Sequence, residues 1–537
     1  MATSKLLRGT FVLTLGTMVS RLIGLIYIFP FYALVGVEGA ALYTYAYIPY
    51  TIFLSVATMG VPLAVSKFVS KYNALGEYRI GRKLFKSGLL VMMVTGIVSF
   101  LILYMIAPLL SPYVIADEGQ LHNVHDVTKV IRTVSFALMI VPVMSLIRGF
   151  FQGHESMGPT AVSQVVEQIV RIVFILGSAF IIIKVMNGEL VTAIGFSTFA
   201  AFVGAIGGLG VLIWYWFTRR GHLNELLEED KGKLTISFKD MYKELLLYAA
   251  PFVFVGLAIP MYQLIDEFTF NRAMDSIGLA DIAGQAFTMI TMLSHKLVII
   301  PVSLATSFAL TLIPSVTKSY VAGDSSSLKK QLNQTFQVVF FLTFPAVIGL
   351  SLLADPAYAT FYSVDELGGN ILMWYAPVAI LFAFFSVTAA ILQGINQQRF
   401  TVISLVIGLL MKLSLNVFLI SNFASIGAIL ATAIGFFVSV VFNLYIIKKY
   451  TNYHYGFLGK RMLFMVILTT IMALIVKITM WLLSFGISYE EGKLQAIIVL
   501  FISVIVGAGV YFLLSYRTNL FYLLFGSRFS FLKKRSL

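Results

Sequence analysis

Fourteen apolar runs, each of about 20 residues or more, recur along this chain, and they decide its class before any motif is read. They lie near 10–35, 42–66, 84–111, 128–152, 159–184, 190–217, 245–270, 282–316, 332–353, 370–394, 400–421, 425–447, 462–485 and 495–515. The runs are continuous rather than alternating. Helices, which satisfy their own backbone in lipid, therefore fit them, and a β-barrel does not. Only 12% of residues are charged, against about a quarter in soluble domains, so there is too little polar material for a water-facing surface. The expected fold class is an all-α polytopic membrane protein with 14 transmembrane helices. The first run is too long for a signal-peptide core and no A-x-A-like site follows it, so it is read as a retained span. With no cysteine, disulfides and thiolate metal sites are excluded.

The formal charge of +14 raises the question of a nucleic-acid partner. The basic residues fall between the apolar runs, however, which points to the membrane surface and away from nucleic acid. Starting inside and alternating, 27 of the 38 Lys and Arg residues fall in cytoplasmic segments and 4 in outer ones. The positive-inside rule then places both termini in the cytoplasm.

The chain repeats itself. "QGHESMGPTAVSQVVEQIVR" from Gln152 returns as "QGINQQRFTVISLVIGLLMK" from Gln393, with Gln152, Gly153, Thr160, Ser163 and Arg171 matching Gln393, Gly394, Thr401, Ser404 and Lys412 at one offset. "SKYNALGE" from Ser70 returns as "TKSYVAGD" from Thr317. Both pairs are six runs apart, and an even separation makes the repeat parallel. Two pseudo-symmetric six-helix lobes are a transporter architecture, with the binding site expected near the membrane midplane. The expected organisation is an N-terminal lobe over 1–218, a cytoplasmic linker over 219–244, a C-terminal lobe over 245–449, and two extra helices with a basic cytoplasmic tail over 450–537.

Ionisable residues inside a membrane cost about 2.5–3.5 kcal/mol each on insertion scales and usually face a cavity or a partner. Arg21, Arg171, Lys296 and Lys412 lie near mid-depth. Gln164, Glu167, Gln168 and Arg171 recur at i, i+3, i+4 and i+7, one helix face, so Glu167 and Arg171 can pair; a structural ion pair and a functional one are both compatible with that spacing. The matching helix has Leu405, Gly408 and Leu409 instead, so Lys412 is expected beside water or an anionic ligand. Arg132 and Arg148, nearer span ends, read as snorkelling. Lys477 lies deep in the thirteenth run with no role. Asp266 and Glu267 are adjacent, about 100° apart on a helix, so at most one serves a coupling site and an interfacial position is the alternative. The mid-depth balance is positive, which suits an anionic substrate such as a pyrophosphate and not a drug cation.

Other motifs lead elsewhere. "GEYRIGRK" from Gly76 resembles a phosphate loop but lacks the Gly-Lys-Ser/Thr ending and a preceding strand. His122, His125, Asp117 and Asp126 read as solvated loop residues. "GGLG" from Gly207 reads as close helix packing.

Ser20-Arg21-Leu22-Ile23-Gly24, "IRGFFQGHESMGPTAVSQVVEQIVR" from Ile147 and "HKLVIIPVSLATSFALTLIPSVTK" from His295 resemble the flippases of the multidrug/oligosaccharidyl-lipid/polysaccharide exporter superfamily. The likeness is to the lipid II flippase family of its polysaccharide-transport branch, with a sporulation protein family as a near relative. The resemblance implies a MATE-like fold and a cationic cavity for a lipid-linked pyrophosphate. It places Arg21 on the family's helix-one arginine and Lys296 on a helix-eight cation. Tyr27 stands where Gram-negative members carry a second arginine, residues 48–60 hold no basic residue, and Ile299 stands at the helix-eight acidic position, so Arg171 and Lys412 are expected to compensate. Asp266, Asn416 and Thr432 are similar to the sodium ligands of some members, although a helix-eleven aspartate is absent.

The sequence thus predicts a non-enzymatic flippase of a bacterial cell membrane, moving undecaprenyl-pyrophosphate-linked peptidoglycan precursor outward by alternating access. The alternatives are a flippase for another polyprenyl-linked polysaccharide and a cation-coupled drug exporter. The expected substrate site is Arg21, Lys296, Arg171 and Lys412, supported by Glu167, Gln164, Gln168, Asp266 and Glu267. No cofactor is expected. The drive is the membrane potential or a coupling ion, sodium or proton. The partners are the lipid-linked oligosaccharide pyrophosphate, membrane lipids and cell-wall synthesis or division proteins, with no nucleic acid.

Overall fold

A computed structural model describes residues 16–17, 19–21, 23–58, 61–114, 123–232, 234–310 and 313–525. Both chain ends, Asp117 and His122 lie outside the described residues. Every described element is helical. Among the described residues, twelve helices are long and apolar enough to cross a membrane. Two of them are interrupted where the sequence separates neighbouring runs: Gly36 in α1 (Ile28–Thr58), and Ala424, far along the chain, leave helical backbone. At Gly36 the chain folds back. Sixteen residues of straight helix would hold Tyr27 and Tyr43 about 24 Å apart, yet their hydroxyls are 3.5 Å apart. Glycine suits the break because its φ is +67°, a value other residues adopt at a cost.

The described chain divides into two compact units, up to Asp275 and from Ser276. In the first, α2 (Val61–Leu75), α3 (Tyr78–Val114), α4 (Val124–Ser135), α5 (Val141–Gly153), α6 (Gly158–Phe180), α7 (Leu190–Glu228) and α8 (Phe238–Asp275) follow α1. Helices α6 and α7 lie close because small residues allow it. A Cβ on Gly204 would sit 2.9 Å from the Glu167 carbonyl, and one on Gly208 would sit 3.1 Å from the Glu167 Cβ. The expectation for the glycine run holds at Gly207 and Gly208, whereas Gly210 faces open space. Helix α8 falls in the first unit, where Asn271 donates to the Tyr45 hydroxyl at 3.0 Å and to the Val114 carbonyl at 2.9 Å. The stretch between α7 and α8 is held too, through Asp230 on Arg79 and the Ile236 carbonyl on Lys83.

The second unit contains α9 (Ala280–Thr288), α10 (Ser294–Leu310), α11 (Ile313–Val321), α12 (Ser325–Leu352), α13 (Ala354–Phe361), α14 (Glu366–Tyr375), α15 (Val378–Gly394), α16 (Gln398–Thr451), α17 (Gly456–Ser484), α18 (Lys493–Arg517) and α19 (Leu520–Phe525). Phe436 packs edge-on against Phe382 and Phe385 between α15 and α16. Helices α17 and α18 pack together and lean on α12, where Tyr511 donates to the Phe341 carbonyl.

The sequence repeat is present in the backbone. Glu155 and Asn396, 241 residues apart, both end a helix with φ near +57° (56° and 58°). The same bonds close each turn: Ser156 N–H to Phe151 O at 2.9 Å, and Gln397 N–H to Leu392 O at 2.7 Å. Gly76 and Gly323 form the second matched pair, at φ 78° and 70°. Glu77 N–H to Tyr72 O and Asp324 N–H to Ser319 O bond alike.

Candidate functional site

In the first unit the helical spacing on α6 delivers its polar face as a group. Glu167 accepts two guanidinium groups, one on each oxygen: Arg171 Nη2 on Oε1 at 2.8 Å and Arg148 Nη2 on Oε2 at 2.9 Å. The three side chains are 11–18% exposed. Arg148 also donates from Nε to Ser163 Oγ at 2.9 Å. Arg148 is therefore not a snorkelling residue. Its charge turns inward because α5 and α6 are joined by the tight turn at Glu155, which brings it over Ser163 and Glu167. Two guanidinium groups share one carboxylate, leaving a surplus positive charge. Arg171 Nε is buried with no acceptor among the described residues.

The helical residues before α1 pack on this face. Thr17 donates to Gln164 Oε1 at 3.0 Å, and a Cβ on Gly24 would lie 2.8 Å from Gln168 Nε2. Arg21 belongs to this segment, and its side chain is exposed on the unit. Behind the triad stands a ladder of tyrosines on α1: Tyr43 stacks on Tyr47 with centroids 5.2 Å apart, and Tyr50 follows at 5.4 Å. Their hydroxyls lie within electrostatic reach of Arg171. The ladder was not anticipated from sequence, although Tyr43, Tyr47 and Tyr50 already mark one face at i, i+4 and i+7. Asp266 and Glu267, on α8, are both buried, 4% and 1% exposed. The Glu267 oxygens find no hydrogen-bond donor among the described residues.

In the second unit Lys296 lies in the first turn of α10, directly after a π-helical segment, Met289–Leu293. Such segments frequently occur at functional sites. The neighbouring His295 is held by the Tyr375 hydroxyl at 2.9 Å. Lys412 is fully buried, and its Nζ donates to Thr432 Oγ1 at 2.6 Å. A protein hydroxyl thus stands where water or an anionic ligand was expected. The break at Ala424 folds the second half of α16 along the first and brings position 432 to position 412. Asn416, one turn beyond Lys412, is also fully buried. Thr432 Oγ1 already accepts from an ammonium group, which disfavours a sodium ion at that oxygen; Asp266 lies in the first unit. Arg21, Arg171, Glu167, Gln164 and Gln168 are thus brought together in one unit, while Lys296, Lys412, Asn416 and Thr432 belong to the other.

Residues 6–320 match the family described as polysaccharide biosynthesis protein. The chain is 52% identical over 532 residues to the lipid II flippase MurJ of Bacillus subtilis (strain 168), covering 98% of this chain and 97% of that protein. It is 22% identical over 428 residues to stage V sporulation protein B of the same organism, covering 80% of each. Among solved structures, lipid II flippase MurJ in an inward closed conformation matches with a TM-score of 0.66 at 16% identity, over 95% of this chain and 99% of that one. An inward-facing MATE-family multidrug transporter matches with a TM-score of 0.64 at 14% identity, over 80% and 94%. These two likenesses establish the fold, a MATE-like one, and the full-length identity establishes the kinship: the chain belongs to the polysaccharide biosynthesis protein family and, within it, to the MurJ branch.

Proposed function

We infer that this chain is a flippase that carries lipid II, the lipid-linked peptidoglycan precursor, across the membrane for cell-wall synthesis. The observation that carries the reading is the 52% identity, end to end, to a protein named for that activity. The site chemistry agrees with it. A triad with a surplus guanidinium charge and an unsatisfied donor suits a pyrophosphate. A cationic drug would meet Glu167 already neutralised by two arginines.

The chain acts as a transporter with no catalytic step of its own, by alternating access in a bacterial cell membrane, with both termini on the cytoplasmic side. Arg171 and Arg148 hold the pyrophosphate in the first unit, where Arg21 adds charge; Lys296 is the candidate cation of the second unit. Lys412 serves the packing of α16. The membrane potential drives transport: an inside-negative potential favours outward movement of an anionic headgroup by about 2.3 kcal/mol per charge per 100 mV. Cell-wall synthesis or division proteins are the natural partners.

The test is complementation. In a bacterium whose own lipid II flippase is depleted, expression of this chain restores growth and lowers the lipid II held on the inner leaflet. Continued inner-leaflet accumulation of lipid II, with the chain present in the membrane at normal levels, overturns the reading.

A further inference from the structure

The "GEYRIGRK" stretch, which is no phosphate loop, opens α3 and lines a cavity of about 850 Å³ at one end of the first unit. Arg79, Arg82, Lys83 and Lys86 face it from α3, with Asn224 and Glu228 opposite on the end of α7. Its size lies within the range of small-molecule sites, about 300–1,000 Å³. The cations are held in place. Arg79 pairs with Asp230 at 3.5 Å. Lys83 donates to the Ile236 carbonyl at 2.7 Å and lies over the Phe238 ring. The Arg82 guanidinium lies over Trp216, 4.7 Å from the ring centroid, and donates from Nη2 to Asn224 at 3.3 Å. Its Nη1 is buried with no acceptor among the described residues. Glu228 is the carboxylate in the lining, so the cavity is cationic on balance.

Its depth is set by the helix. Thirty-seven residues of α3 span about 55 Å, against about 30 Å of hydrocarbon, so the first turns stand at headgroup level. Beyond Lys86, an exposed apolar stripe runs up the same helix at three- and four-residue steps, through Leu90, Met93, Ile97 and Leu101. A cationic cavity at the membrane surface that continues into an apolar stripe complements an amphiphile with an anionic head.

We propose that this cavity binds the phosphate of an anionic phospholipid, with an acyl chain along the α3 stripe. Arg82 Nη1 and the Lys86 ammonium donate to the phosphate oxygens. The site is separate from the Arg148–Glu167–Arg171 triad and does not depend on the transported substrate.

The full chain, purified in detergent, is titrated with dioleoylphosphatidylglycerol or dioleoylphosphatidylcholine, and bound lipid is read by native mass spectrometry. The expected result is a preference for phosphatidylglycerol that falls about fivefold in Lys86→Gln and by a further factor of about five in Arg82→Gln/Lys86→Gln. Inorganic phosphate alone does not displace the lipid. Lys86 is exposed, so the single variant reads the site without disturbing the fold. An unchanged preference in Lys86→Gln overturns the proposal. So does full displacement by inorganic phosphate, which would make this a site for the free ion.

Discussion

Arg171 and Lys412 occupy the same register of the repeat, yet one sits in a charged network and the other is buried beside a hydroxyl. On α6 the guanidinium shares Glu167 with Arg148 and retains some exposure. On α16 the ammonium is fully buried against a threonine hydroxyl. The repeat carries a cation at each position, in two different surroundings. In the first unit Gln164, Glu167 and Gln168 surround the charge with polar partners; in the second, Leu405, Gly408 and Leu409 replace them, and the lysine is left to bridge the two halves of a broken helix.

That contrast can be broken from either side. Glu167→Leu strands two guanidinium groups and is expected to cost the most, about 3–5 kcal/mol, read as a lower melting temperature of the purified protein. A small loss would mean that the arginines are solvated and that the triad is not a buried unit. Thr432→Val removes a Lys412 acceptor, a bond to a charged donor, at about 1.5–3 kcal/mol in the same assay. If it melts like the parent, Lys412 is not held as described. Gly204→Val forces α7 off the Glu167 carbonyl and is expected to cost about 1–3 kcal/mol through overpacking. The smallest effect belongs to Ser163→Ala, about 0.5–1.5 kcal/mol, because Arg148 keeps Glu167 when it loses the hydroxyl.

Much of this was legible in the residues. The α6 face follows from helical spacing alone, and the repeat offset of 241 reappears in the paired turns at Glu155 and Asn396. What escaped depended on contacts across turns. Arg148 lies 19 residues from Glu167, and only the folded α5–α6 turn joins them. The signal was its place four residues before Gln152, on the segment that turns back over Ser163. The gap between the runs at 400–421 and 425–447 marks the break at Ala424, but which residue of the second half meets Lys412 depends on how the two halves pair across it.

The central claim is that the surplus guanidinium charge of the α6 triad holds the transported pyrophosphate, whereas Lys412 only packs. Arg171→Gln tests it most directly, because Glu167 keeps Arg148 as its partner and no carboxylate is stranded. The measurement is outward lipid II export in cells that depend on this chain, at matched protein levels in the membrane. Export is expected to fail in Arg171→Gln and to recover in part in Arg171→Lys, which restores the charge. Normal export by Arg171→Gln would contradict the claim and leave the triad a structural ion pair.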